Sequence, residues 1–588
     1  MSPAPTLAFR PRALLARTIA TVAVLGVIAS MLSGCGSSKK IATAADPASA
    51  IPASAALYAG ATVRPQGALQ TEALAAGKAL TGQVDPYLRL LAALQTPGAP
   101  TLDFKRDVAP WLGTRAGAYL ISLRASGQLT TMLQQGLLGN SATGSFPFGK
   151  GAADGAIVLD TSDVAKARSF LEAQAHHAGA HTSSYHGVSY ELSAAGLAFG
   201  IVDRFAVIGS EAGIDGVIDT TRGGAALTHA DGYTKLLASA PANALAHIYF
   251  NPTAPGAAPT TKGGSSEGLS GVLGLLSPSH QANISLIAGA GSLALDADTL
   301  SGGAGTAAGG LLAADPNSAQ ALDELPGESW LAIGLGDVGK TLAEDAQGLR
   351  ALGSLAEMPS GTVGVEAPAV NTLDVKSILG GMLAPLDIMG APTAQAKREF
   401  TGWMGSAGIF ASGSSLLELR AGVVIESKDP ARSRAAVHAL ATQLRKTGAT
   451  IQPASIQGTD AAVGARITGL PLIMYIADGQ DSSGHTKLVL GLGEASVTTA
   501  LTPPSTLASA SSKSAAASSL GDGSPPSILT DFPTMLSLLE GAGLTEGSSF
   551  SKVVPYLRAL STLSGGGHDL GGEVHRFRLV FGLQSAAG

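Results

Sequence analysis

Eight residues, Gly334-Leu335-Gly336-Asp337-Val338-Gly339-Lys340-Thr341, satisfy G-x-x-x-x-G-K-[ST] and follow an apolar run. In that setting the amides of a glycine loop can cradle phosphates while the lysine reaches them. The chain has 76 glycines, so chance also supplies such a pattern, and the corresponding stretch Gly60-Ala61-Thr62-Val63-Arg64-Pro65 has no lysine. The expectation is a strand-to-helix turn and no cofactor. His176, His177, His181 and His186 place four of the eleven histidines within one short span. Three of them could supply nitrogen ligands to zinc, but no cysteine or H-E-x-x-H accompanies them. Two of them suit the last turn of a helix, where partial negative charge favours imidazolium. No metal is expected. Ser549-Phe550-Ser551-Lys552 and Lys446-Thr447-Gly448 fit S-x-x-K and K-T-G, a pair known from penicillin-recognising serine enzymes. Here their order is reversed and no S-x-N lies between them, so no catalytic residue is assigned.

Cys35 carries the chemistry that position does specify. It is the single cysteine of 588 residues and closes Leu32-Ser33-Gly34-Cys35. Ahead of it stand Arg10, Arg12 and Arg17 without an acid, then an apolar run from Thr18 to Leu32. This is the build of a signal peptide, and the run falls short of the roughly 20 residues of a spanning helix. The four residues look like a bacterial lipobox, in which the thiol is diacylglycerylated and the chain is cut before it. Cys35 is thus the expected lipidation site and the membrane the expected partner, reached through the acyl anchor. Each buried methylene of an acyl chain is worth about 0.8 kcal/mol, and two chains hold where one does not. The expected place is the cell membrane, on the side facing away from the cytoplasm.

Composition narrows the class. The net charge is −6, and without residues 1–34 it is 34 basic against 43 acidic, or −9. Nucleic-acid binding needs a basic footprint and is excluded. Aromatics are only 4% of the chain, which argues against a sugar-stacking surface. With 45% hydrophobic residues the chain can bury a large core, and its length calls for two or more domains.

The elements repeat. Ile51-Pro52 through Gly60 matches Leu325-Pro326 through Gly334 as proline, apolar strand and glycine. Pro110-Trp111-Leu112-Gly113 answers Gly402-Trp403-Met404-Gly405, and Ala156 to Asp160 answers Gly422 to Glu426. A helix follows each of the last pair. Asp429-Pro430 caps one whose Val437, Leu440, Ala441 and Leu444 share a face before Gly448. Ser162 or Asp163 caps the other, striped by Val164, Ala167, Phe170 and Leu171 and stopped at Gly179. Strands follow at 188–192, 197–202 and 205–209, and at 461–467, 470–477 and 487–492, with long closing strands at Asn283–Leu295 and Glu573–Leu583. The reading is α+β, two tandem weakly similar modules, each an antiparallel sheet with helices on one face. The boundaries are a signal peptide at 1–34, a flexible tether at 35–50, and modules at 51–315 and 316–588. Polar or small-residue stretches lie at 251–268, 301–320 and 502–527, and the last two read as unpacked. The stretches 129–138, 269–276 and 378–389, apolar and glycine- or Met-containing, read as core helices or as the lining of an adaptable groove.

The Ile51 strand, the Trp111 segment and Phe205-Ala206-Val207-Ile208-Gly209-Ser210 resemble a bacterial family of exported proteins known only as a domain of unknown function. The resemblance implies no activity. The expectation is a lipid-anchored, extracytoplasmic, non-enzymatic binding or structural protein, with an apolar-ligand carrier and an extracytoplasmic hydrolase as alternatives.

Overall fold

The computed structural model describes residues 44–81, most of 91–122, 148–150, 153–254, 281–300, 316–340, 401–467, 472–543 and 554–584, with 447, 522 and 542 excepted. The leader and Cys35 lie outside them, as do Ser549, Lys552 and the stretches 129–138, 269–276 and 378–389. In chain order the elements begin with β1 (Leu57–Thr62), α1 (Gly67–Thr81), β2 (Leu112–Leu120), β3 (Gly155–Thr161), α2 (Val164–His177), β4 (His181–Tyr185), β5 (Val188–Leu192), β6 (Leu197–Val202) and β7 (Phe205–Ser210). Then come α3 (Glu211–Thr221), α4 (Asp231–Ser239), β8 (Ala246–Phe250), β9 (Ala282–Gly289) and β10 (Ser292–Leu300). The later part has α5 (Pro316–Asp323), β11 (Ser329–Leu335), β12 (Met404–Ser412), β13 (Arg420–Ser427), α6 (Pro430–Lys446), β14 (Thr450–Pro453), β15 (Thr459–Arg466), β16 (Met474–Gln480) and β17 (Thr486–Leu492). It ends with α7 (Glu494–Leu501), α8 (Ser511–Leu520), β18 (Pro526–Asp531), α9 (Phe532–Gly541), α10 (Val554–Arg558), β19 (Leu560–Asp569) and β20 (Val574–Leu583).

The chain is α+β, and its described residues pack as two units, 20–309 with 569–588 and 310–568. In the first unit the antiparallel order is β4-β5-β6-β7-β3-β2-β1-β8-β9-β10-β20. In the second it is β14-β15-β16-β17-β13-β12-β11-β18-β19. From β4 to β9 the first series runs through the same pairings, in the same sequence, as the second from β14 to β19; β10 and β20 are additional. Smaller details recur with them. Pro52 bridges Ala226 as Pro326 bridges Thr506. The amide of Ser162 donates to Trp111 O as that of Lys428 donates to Trp403 O, both at 2.7 Å.

Helices cover both faces of each sheet, where one covered face was expected. Leu159, Ala206 and Ile208 pack with Phe170 of α2, while the alternate residues Val158, Phe205 and Val207 pack with Ile214 of α3 and Leu236 of α4. In the second unit Val423, Ile425 and Leu490 meet Val437 of α6, and Val424 and Val489 meet Val497 of α7. The physical reason stands in the strands themselves: β6, β7 and β17 are buried at every position, as near-continuous apolar runs must be.

The helix caps are as the residues prescribe. The Asp163 carboxylate accepts from Lys166 N and that of Asp429 from Ala431 N and Arg432 N. Gly179 and Gly448 take positive φ just beyond the helix ends. Four further expectations change. Pro47–Ala50, assigned to the tether, is a buried turn capped by Asp46, because its alanines are small enough to pack under the sheet. Asn283–Leu295 is two strands, since Gly291 at φ 78° turns the chain between β9 and β10. The stretch 502–527 is packed: Leu507, Ala516 and Leu520 anchor a 3-10 turn and α8 despite the serines around them. The strand read as closing the second module, here β20, pairs with β10 of the first unit.

Candidate functional site

Among the described residues a concavity lies in the first unit, between residues 100–111 and α2. A π-helical turn at Phe104–Val108 is capped by Asp103, whose carboxylate accepts from Arg106 N. It delivers Trp111, whose Nε1 donates to Asp107 O at 2.7 Å and whose ring lies 5.0 Å from that of Phe170, tilted 35°. Both rings belong to the core, and their outer edges with Leu102 and Pro110 line a groove of about 520 Å³. Gln174 on α2 lines it too, with Oε1 accepting from Thr96 N at 3.2 Å. Arg106 and His177 stand at the rim. Arg106 holds Asp107 by two hydrogen bonds of 2.7 and 2.8 Å, which keep that carboxyl below its usual range. Polar and charged side chains, Lys166 and Ser169 among them, share the lining with the apolar ones, so the groove is mixed in character.

Trp111 and Trp403 are both buried, each in its own unit's core. The glycine two residues after each meets the carboxylate at the end of the next strand. A Cβ on Gly113 would fall 2.2 Å from Asp160 Oδ2, and one on Gly405 would fall 3.2 Å from Glu426 Oε2. Asp160 is buried and held by Arg204 at 2.7 Å, and Glu426 accepts from Ser406 at 2.8 Å. These strand-end acids are structural ties.

The phosphate-loop pattern begins inside a strand. Gly334 and Leu335 lie within β11, paired with Gly408 and Ala407. A Cβ on Gly334 would sit 1.9 Å from Ser318 O, so this glycine lets α5 approach the sheet. Asp337 is held by Lys428 at 2.6 Å, and Thr341 lies outside the described residues. The four histidines are dispersed. His176 and His177 end α2, His181 is exposed on β4, and His186 pairs with Asp219 at 3.1 Å while stacking on Tyr185. Among the described residues no three metal-ligating side chains converge. Lys446 is the last residue of α6.

Two constellations escaped sequence reasoning. Ser524 Oγ meets His568 Nδ1 at 2.6 Å, joining the turn before β18 to β19. The neighbouring carboxylate, Asp569, is taken by His575, so no acid orients His568 among the described residues. The second is a buried polar stripe over β9, β10 and β20, where Asn283 and Ser285 flank Asp298 and Asp296, which in turn face Arg576 and Arg578. Its signal was present as D-x-D and R-x-R at the two-residue period of strands.

A family model described as a protein of unknown function, DUF3352, matches residues 14–560. The chain belongs to that family. No curated protein matches it. Among solved structures, crystal form I of TP0453 is similar at 10% identity and a TM-score of 0.25, covering 45% of this chain and 82% of that one. At that score the likeness bears on neither fold nor function.

Proposed function

We propose that this member of the family is a lipid-anchored, extracytoplasmic protein built of two duplicated modules, acting by binding rather than catalysis. The observation that carries the reading is Cys35, the sole cysteine, placed directly after a charged and then apolar leader. The matched pairing series of the two units supports duplication. No described helix is long and apolar enough to cross a membrane. The test is metabolic labelling with an acyl-chain probe. The chain with Cys35 takes up label and Cys35→Ala does not; equal label on both would sink the anchor.

The groove beside Trp111 favours a second reading, a carrier of an apolar ligand, with the Trp111 and Phe170 edges as its wall. A hydrolase finds less support, because the Ser524–His568 pair lacks an orienting acid among the described residues.

A further inference from the structure

Helix α6 is amphipathic in charge as well as hydropathy. Ala436, Val437, Leu440, Ala441 and Leu444 face the sheet. Its outer side carries Arg432, Arg434, His438, Arg445 and Lys446, all exposed, and the helix holds no acidic residue. Asp429 and Asp460 engage Arg432 and Arg434 near its start. Among the described residues no carboxylate pairs with His438, Arg445 or Lys446. Arg466, exposed at the end of β15, is also unpaired there, and it lies across from Thr450, the first residue of the strand that follows α6. The remaining outer positions include Ala435, Ala439 and Thr442, short side chains that let a flat surface come close. On a chain of net charge −6 such a face is a local reversal of sign. The corresponding helix of the first unit, α2, differs in carrying Glu172 on its exposed side.

We propose that the outer face of α6, with Arg466 beside its end, docks on anionic lipid headgroups of the membrane that carries the protein. A basic residue near an anionic membrane surface contributes about 1 kcal/mol, or about fivefold in partition. Arg445, Lys446 and Arg466 together supply roughly a hundredfold by that measure. That is weak for a free protein and sufficient to orient one already tethered. The proposal rests on the lipid-anchored reading only for bringing α6 near a membrane.

The test uses residues 36–588, which contain every described residue and lack both leader and Cys35. Co-sedimentation is measured with vesicles of phosphatidylcholine alone and with an equal share of phosphatidylglycerol. The expected result is binding to the mixed vesicles only, abolished near 1 M salt, where the Debye length is about 3 Å. Arg445→Ala with Lys446→Ala should lower the partition about 25-fold. Lys166→Ala with Arg168→Ala on α2, an equal change of charge, should leave it within about twofold. Equal binding to both vesicle types, an equal loss in the two double variants, or displacement by a soluble acidic polypeptide would each overturn the proposal. Since this chain has no acylation site, vesicle binding and acyl labelling succeed or fail separately.

Discussion

Arg576 and Asp298 face each other across β20 and β10 and share two hydrogen bonds, Nε to Oδ1 at 2.7 Å and Nη2 to Oδ2 at 2.8 Å. The same guanidinium donates to Ser239 O at the end of α4. Two residues along, Arg578 repeats the fork on Asp296 at 2.6 and 2.7 Å. Both aspartates are wholly buried. Charge-assisted forks of this geometry specify register, because a slip of one residue would leave four charges without partners.

Arg576→Met should therefore destabilise the chain by about 3–5 kcal/mol, the usual cost of leaving a buried charge alone. Arg576→Met with Asp298→Leu should recover most of that loss in denaturant titrations. Burial is the larger influence on Asp298 and lifts its carboxyl above the ordinary range, although Arg576 pulls it down. A raised carboxyl favours the protonated folded state, so stability falls as pH rises through its folded value. The fall should be steeper in the single variant.

His247 sits under Tyr58 and Tyr233, with its Nε2 3.2 Å from the Tyr233 hydroxyl. Burial pushes its pKa down to about 4; Asp46 pulls against this and the cationic Arg115 adds a smaller push in the same direction. The unfolded chain then binds the extra proton between about 6.5 and about 4, so stability is lost as pH falls through that window. The loss should approach about 3 kcal/mol. His247→Gln, which cannot titrate, should flatten the slope of unfolding free energy against pH.

Truncating Trp111 or Trp403 to alanine should cost about 3–5 kcal/mol each, since both rings fill space between helix and sheet. Indole fluorescence at both positions should be shielded from a soluble quencher in the native state. A freely quenched ring whose loss leaves stability unchanged would contradict its place in the core.

Calorimetry with ATP and magnesium should register no heat attributable to Lys340, because Gly334 and Leu335 lie within β11, in register with Gly408 and Ala407 of β12. Gly334→Ala should instead lower the unfolding midpoint, since its Cβ would strike Ser318 O. Micromolar nucleotide binding abolished by Lys340→Ala would reverse this assignment.

Much of the architecture is carried by local pattern. Asp163 and Asp429 cap the helices they precede, and the two tryptophans anchor the two cores. Those features rest on neighbours within a few residues. What local pattern did not show depends on distant partners. The run at β7 reads as a strand, but only the packing of α2 and α3 against its two sides shows that both are covered. The stretch 502–527 looks too polar to pack until Leu507 and Ala516 join Ala332 of β11 and Leu529 of β18 in one core cluster and Leu520 is buried. The candidate groove needed Leu102, Trp111 and Gln174 to be brought side by side. The buried stripe was hidden because Asp298 and Arg576 stand 278 positions apart.

That separation has a consequence for the order of synthesis. A ribosome finishes β1 to β10 long before it makes β20, and throughout that interval the edge of β10 presents two aspartates with no guanidinium to meet them. The first half of the protein is thus the last to be completed. A chain cut short after β19 should therefore lose its N-terminal unit, far in sequence from the cut, and such a fragment should be cleaved by protease first within residues 44–300.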